Sequence, residues 1–151
     1  MNTRSFLLSV LIAGVGIGVL GNLPVCNLIN CALCIWVWAG GTAAVLLYRR
    51  FEGGEPSLSA GQAAGLGALS GLLGALVGAI VFSITASVSM PLFNDLARSL
   101  NVEGDLPFKA GDLGNMLGAA FIFLVVDAVL YPIFGALGAI IAASMTRQKQ
   151  A

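Results

Sequence analysis

The stretch AGQAAGLGALSGLLGALVGAIVFS, residues 60–83, has a small residue at every third or fourth position and no charged side chain. It is long enough to cross a membrane as a helix, which takes about 20 predominantly apolar residues. Residues three and four apart lie on one face of a helix, so the small residues form a single seam. Such a seam lets two transmembrane helices bring their backbones together. The stretch therefore predicts a tightly packed transmembrane helix, whose seam residues are Ala60, Ala64, Gly67, Gly71, Gly74 and Gly78.

Three other stretches are apolar over a comparable length, at about residues 5–23, 28–48 and 113–145. The connections between the four stretches are too short to hold a second domain. The sequence therefore predicts one all-α domain, a polytopic bundle of four transmembrane helices. Two of the other stretches repeat the pattern of small residues, with Gly14, Gly18 and Gly21 in the first and Ala128, Gly135, Gly138 and Ala142 in the last.

Composition excludes most other classes of protein. Of the 151 residues, 58% are apolar and only 9% are charged, and the mean hydropathy is +0.97. Soluble domains carry about 25% charged residues, so this chain has too little polar surface for a soluble enzyme. Seven acids balance seven bases, which gives no net charge that would favour nucleic acid. Histidine is absent, which removes the commonest general base, so we predict neither an enzyme nor a bound cofactor.

The basic residues predict the orientation of the chain, because cytoplasmic loops are enriched in Lys and Arg. We therefore expect a multi-pass protein of the inner (cytoplasmic) membrane with both termini in the cytoplasm. The first stretch could instead be a signal peptide, but residues 21–24 (GNLP) are not a clear cleavage site, which favours a retained helix. With four spans, the bases on one side are Arg4, Arg49, Arg50, Arg147 and Lys149, and those on the other are Arg98 and Lys109.

Two segments allow more than one interpretation. The outer segment, about residues 87–112, includes residues 91–100, whose apolar side chains share a helical face. They predict a short amphipathic helix in the headgroup layer, although a loop that caps the bundle fits equally well. The last stretch, residues 113–145, would be about 50 Å long as a helix, against a hydrocarbon core of ~30 Å. It must tilt, kink near Pro132, or begin as an interfacial segment over residues 113–120.

Asp127 is the only acid well inside a predicted span, and such residues usually face the bundle and often mark function. On a helical wheel it lies about 40° from Tyr131 and about 20° from Gly138, beside the small residues. Asp127 with Tyr131 is therefore a candidate ion or proton site. The alternative is a structural role, in which Asp127 hydrogen-bonds a neighbour. Counting about 1.5 Å per residue places Asp127 at the same depth as Asn22, Asn30, Cys31 and Cys34.

Three cysteines, Cys26, Cys31 and Cys34, form the pattern C-x4-C-x2-C and are a candidate metal or redox site. Iron–sulfur clusters use similar spacings but need four thiolates, so a fourth ligand would have to come from another chain. Cys31 and Cys34 are one helical turn apart and could bind a soft metal or form a disulfide. The alternative is that all three are small apolar residues that pack well among glycines.

Residues 27–31 (NLINC), followed by a Trp-rich span, Gly40-Gly41 and the Arg49-Arg50 pair, resemble small bacterial integral membrane proteins of four helices. The resemblance covers little beyond the first two apolar stretches. Since no activity is attached to those proteins, it implies only the four-helix topology.

Three hypotheses for function follow. The first is a structural or accessory protein that lies in the lipid bilayer and contacts another membrane protein, or itself, through its helices. The second is an oligomeric transporter or channel-like protein with Asp127 as a proton or cation site. The third is a membrane thiol or metal protein that uses Cys26, Cys31 and Cys34. We favour the first, because it needs no chemistry and the sequence shows almost none.

Overall fold

A computed structural model of the chain describes residues 2–23, 35–54, 58–99 and 113–147. These ranges contain four α-helices and no strand, which confirms the all-α prediction. The helices are α1 (Thr3–Asn22), α2 (Ile35–Phe51), α3 (Ala60–Ser99) and α4 (Leu113–Arg147).

Length and composition make three of these helices candidates for crossing a membrane, and the prediction of a membrane protein is supported to that extent. The fourth, α2, has 17 residues, or about 26 Å, and is shorter than a ~30 Å hydrocarbon core. The predicted second span begins at residue 28, and residues 28–34 lie outside the described part. The four-span topology therefore stays a prediction. The three candidate spans are Thr3–Asn22, Ala60–Thr85 and Ala120–Met145.

Local hydrogen bonds account for where α1 and α3 begin. The side chain of Asn2 accepts a hydrogen bond from the N–H of Arg4 (3.1 Å) and caps α1. At the start of α3, the N–H of Ser59 donates to Oε1 of Gln62 (2.9 Å), and the N–H of Gln62 donates to Oγ of Ser59 (3.2 Å). This reciprocal pair, a capping box, satisfies backbone donors that a first helical turn leaves unpaired.

A turn of two glycines ends α2. Gly53 has a φ of 80° and Gly54 a φ of 145°, both of which glycine adopts at low cost because it lacks a Cβ. Their N–H groups donate to the carbonyl oxygens of Arg50 (3.4 Å) and Arg49 (3.3 Å), which the helix end would otherwise leave unpaired. The end of α2 and the start of α3 lie at the same side of the bundle, where Tyr48 and Leu58 belong to one core cluster.

The two longest helices differ from the sequence prediction. The apolar pattern predicts a span that ends near residue 83 and a separate amphipathic helix over residues 91–100. Instead α3 runs for 40 residues through Pro91 to Ser99. Pro91 suits a helix start, but neighbouring helices can accommodate a proline inside a membrane helix. At about 60 Å, α3 is twice as long as a ~30 Å core is thick, so it must tilt or extend outside.

The last helix is also continuous. It runs from Leu113 through Pro132 to Arg147, 35 residues in all. Residues 113–120 therefore continue without a break into the candidate span, which begins at Ala120, and an interfacial position for them stays a prediction. With a length of about 52 Å, α4 must tilt or project beyond a ~30 Å hydrocarbon core.

The helices pack in the order α1, α3, α4, α2 around the bundle. In the described part of the chain α2 also touches α3, whereas α1 and α4 make no contact and occupy opposite corners. The larger core lies at the end where α2 turns into α3, and it includes Val10, Tyr48, Leu66 and Ala139. A second, smaller core further along the bundle consists of Ile17, Val37, Ala75 and Tyr131.

Candidate functional site

The predicted packing glycines of α1 lie against α3. A methyl group on Gly14 would stand 2.8 Å from Cβ of Leu73, and one on Gly18 would stand 2.6 Å from Cβ of Val77. Both distances are well below the 3.5–4.0 Å at which carbon atoms normally touch, so only glycine fits. Gly21, the third predicted residue, is buried. The glycines of α1 thus let two helix backbones approach closely.

The seam of α3 serves two helices. Its later residues, Gly74 and Gly78, contact α1, where Ile17 lies against Gly74. Its earlier residues, Gly67 and Gly71, contact α4 instead. The sequence predicted one seam and left its partner open, either in this chain or in another. In the structure these contacts lie within the chain, because α3 crosses from one neighbour to the next along its length.

Three helices meet at Gly135 of α4. A methyl group at Gly67 of α3 or at Gly41 of α2 would meet the carbonyl oxygen of Gly135. The other predicted glycine of α4, Gly138, lies against the backbone of Trp38, whose Cα would be 3.1 Å from an added methyl group. Sequence reasoning did not assign Gly41 to packing, because α2 lacks the repeated spacing. The backbones of α2, α3 and α4 are therefore in direct contact at this level of the described bundle.

Hydroxyl groups add hydrogen bonds between helices. Thr42 of α2 donates to the carbonyl oxygen of Gly138 on α4 (3.3 Å). Thr85 of α3 donates to the carbonyl oxygens of Asn22 on α1 (3.5 Å) and of Val81 on its own helix (2.9 Å). Such bonds to backbone oxygens hold membrane helices together without any chemical role.

Asp127 and Tyr131 form a pair on α4. The Tyr131 hydroxyl donates a hydrogen bond to the carboxyl group of Asp127, one helical turn away. Asp127 is half-buried, and Tyr131 is buried with its backbone against Gly71 of α3. The structure therefore brings together the two residues that the sequence grouped as an ion or proton site. The pairing equally provides the hydrogen bond that a structural role requires.

The predicted layer of polar residues is only partly described. Asp127 lies along α4 between Tyr131 and Phe123, whose ring contacts that of Phe82 on α3 in a tilted arrangement (ring centroids 4.9 Å apart). It is therefore level with the region of α3 around Gly78, which contacts Asn22. Asn22 and Asp127 thus share a depth, but their helices do not touch, and the Asn22 amide donates to the carbonyl oxygen of Gly18 (3.0 Å). The other members, Asn30, Cys31 and Cys34, lie outside the described residues.

The cysteine site cannot be placed, because Cys26, Cys31 and Cys34 all lie outside the described ranges. Within those ranges, no group of three or more Cys, Asp or Glu side chains is positioned to hold a metal ion. The thiol or metal hypothesis stays a prediction from sequence.

The α4 surface is the least covered of the candidate spans. Within its most apolar window 17% of the residues are buried, against 44% in α1 and 39% in α3. The uncovered side chains between residues 120 and 130 are large and apolar, so they face either lipid or a partner. We name this surface the α4 face and define it by Phe121, Ile122, Val125, Val126 and Val129.

Comparison with protein-family models, with curated proteins and with solved structures finds no match to this chain.

Proposed function

We propose that this protein is an accessory subunit of a membrane complex, and that the α4 face is its contact surface for a helix of another membrane protein. The observation that carries the proposal is the unequal covering of the helices. All four helices use glycines in close contacts, but α4 has the smallest buried share of the three candidate spans and leaves a continuous apolar surface uncovered. In the bilayer such a surface contacts either lipid or another helix. We infer a helix because α4 is the least covered of the candidate spans.

We also propose that the chain crosses the membrane four times. Four spans, with both termini and the turn after α2 in the cytoplasm, agree with the basic residues Arg4, Arg49, Arg50 and Arg147 at one end of the bundle. In this topology the α4 face lies in the outer half of an inner (cytoplasmic) membrane.

The interior favours a structural role over transport. The contacts at Gly41, Gly67 and Gly135 bring backbones together where a path through one chain would have to run. Asp127 has a hydrogen-bond partner on its own helix, Tyr131. This is what we expect if the role of Asp127 is to hold a neighbouring side chain in place. An acid that accepts a hydrogen bond in this way needs no bound ion.

Photo-crosslinking from single positions tests the proposal. Val129 in the α4 face and Leu7 on α1 are both 58% exposed, so they are matched for access. With benzoylphenylalanine at either position, we expect a discrete heavier species from Val129 and none from Leu7, because only the α4 face has a fixed protein neighbour. Mass spectrometry of the adduct identifies the partner.

Three results would contradict the proposal. An adduct of twice the chain's mass would make the α4 face a contact between copies and favour an oligomeric assembly. Equal yields of crosslinked adduct from Val129 and Leu7 would show that the crosslinks arise from random collisions in the membrane. The absence of any protein adduct from Val129 would mean that lipid alone covers the α4 face.

A further inference from the structure

A cleft between α1 and α2 opens on the outside of the bundle. It has a volume of about 210 Å³, and its surface is almost entirely apolar. Two residues at its rim, Ile12 and Leu20, are 47% and 43% exposed, so the cleft faces whatever surrounds the bundle. An engineered apolar cavity of about 150 Å³ holds a benzene molecule, so this cleft has room for part of an apolar chain. Its walls include Ile12, Gly16 and Leu20 of α1 and Trp36, Ala43 and Leu47 of α2.

Gly16 gives the cleft its depth. Nothing lies within 4 Å of the position that a methyl group on Gly16 would occupy, whereas Gly14 and Gly18 are crowded by α3. Glycine weakens a helix relative to alanine, and at Gly16 no helix contact compensates for that cost. Glycine at this position therefore leaves open space in the wall of the cleft.

The cleft has the length of one lipid leaflet. Leu47 and Ile12 line one end, and Trp36 and Leu20 line the other. At about 1.5 Å per residue, the distance along α2 from Leu47 to Trp36 is roughly 16 Å, close to half of a ~30 Å hydrocarbon core. An acyl chain that entered at Leu47 would therefore end near the middle of the bilayer, beside Trp36.

An arginine, Arg50, lies near the Leu47 end of the cleft. Arg50 follows Leu47 by three residues, which places it on the same face of α2, and it is exposed. Its neighbour Arg49 is 8% exposed and packs into the bundle. Guanidinium groups bind phosphate through paired hydrogen bonds, and basic residues at a membrane surface attract anionic lipids. Arg50 therefore lies where the headgroup of a lipid in the cleft would be.

We propose that the α1–α2 cleft binds one acyl chain of an anionic phospholipid whose phosphate contacts Arg50. The apolar walls, the leaflet length and the cation at one end all fit this ligand. The lipid site rests on the proposed topology, in which α2 crosses the membrane. It uses no residue of the α4 face, so the contact proposed for that face can fail while the lipid site holds.

Tryptophan quenching by brominated lipid tests the proposal. The chain has two tryptophans, Trp36 and Trp38. Trp38 lies tilted against Phe134 of α4 (6.0 Å between ring centroids) and does not line the cleft. In the Trp38→Phe variant, Trp36 alone reports on the cleft. The variant is placed in phosphatidylcholine vesicles with rising fractions of phosphatidylglycerol or phosphatidylcholine brominated toward the methyl end of the chain.

We expect half-maximal quenching at a several-fold lower mole fraction of brominated phosphatidylglycerol than of brominated phosphatidylcholine. Arg50→Gln should remove this preference. Gly16→Leu and, from the opposite wall, Ala43→Leu should fill the cleft and reduce quenching by both lipids. Gly65→Leu is the control, because its methyl position is equally free of neighbours, and it should leave quenching unchanged.

Three results would overturn the proposal. The first is that, in the Trp38→Phe variant, the two brominated lipids quench Trp36 half-maximally at the same mole fraction. The second is unchanged quenching when Gly16 or Ala43 is enlarged. The third comes from Trp36→Phe, which leaves Trp38 as the reporter. A preference of the same size there would show that the selectivity does not arise in the cleft.

Discussion

The two sides of α1 differ in how they use glycine. Toward α3, Gly14 and Gly18 allow contacts that would place an added methyl group under 3 Å from a side chain. Toward α2, Gly16 borders open space. Glycines spaced four residues apart therefore mark a helix contact, while the glycine between them marks a cleft. The number of glycines in a membrane helix says little about packing, and their spacing says more.

Among the variants that test this comparison, Gly135→Leu should cause the largest loss of stability, because three helix backbones meet at Gly135. Overpacking costs about 1–3 kcal/mol where side chains can move, and at Gly135 the nearest atoms belong to the backbone, so we expect about 3 kcal/mol or more. The measurement is the yield of monodisperse protein after extraction and its unfolding midpoint.

Gly118→Leu is the matched control on the same helix, since nothing lies within 4 Å of its methyl position. We expect its yield and midpoint to equal those of the parent. Equal loss in both variants would mean that the three-helix junction is not special.

The second largest loss of stability is expected at the contact between α1 and α3. Gly18→Ala places a methyl group 2.6 Å from Cβ of Val77, so we expect a loss of about 1–3 kcal/mol in unfolding free energy. Adding Val77→Ala should restore part of that loss, because it removes Cγ1 of Val77, one of the three atoms within 3 Å of the added methyl group. Denaturation in mixed micelles measures both variants. A double variant no more stable than Gly18→Ala would contradict the assigned contact.

Substitution of Asp127 should change the free energy of unfolding by a smaller amount. In Asp127→Leu the Tyr131 hydroxyl loses its acceptor, and side-chain hydrogen bonds in membranes are worth about 1 kcal/mol. Asp127→Asn keeps an acceptor oxygen and should unfold like the parent. The same denaturation assay, together with a proton-flux assay in vesicles, compares the two. Proton flux in the parent that Asp127→Asn abolishes would support transport over the structural role.

The smallest effect is expected at Gly16 and Gly65. Both have open space at the methyl position, and alanine favours a helix over glycine by up to about 1 kcal/mol. Gly16→Ala and Gly65→Ala should therefore equal or slightly exceed the parent in stability. A loss at Gly16 as large as that at Gly18 would remove the difference between the two sides of α1.

The sequence predicted the all-α class and the approximate bounds of three candidate spans, because apolar length is a direct physical requirement of the bilayer. It also identified glycines that the structure places at helix contacts, such as Gly18 and Gly67, because small residues repeated at helical spacing form a face that a second backbone can approach. The structure joins Asp127 and Tyr131 by a hydrogen bond because they are one helical turn apart, and their role as an ion or proton site stays a prediction.

Other features depend on three-dimensional packing and could not be predicted from spacing. Gly41 lies at the three-helix junction although α2 has no repeated pattern, because its contact depends on where α4 crosses. The division of the α3 seam between two neighbours depends on the crossing angle. Pro91 suggested the start of a helix, whereas the structure includes it within α3.

The turn at Gly53 and Gly54 makes α2 and α3 a helical hairpin, which bears on how the chain is inserted during synthesis. On its own, the described part of α2 is short and ends in Arg49 and Arg50, so it is a weak insertion signal for the translocon. The following helix is long and apolar. In the proposed four-span topology, we expect the two to partition into lipid as one unit, with α3 retaining its weaker neighbour in the bilayer.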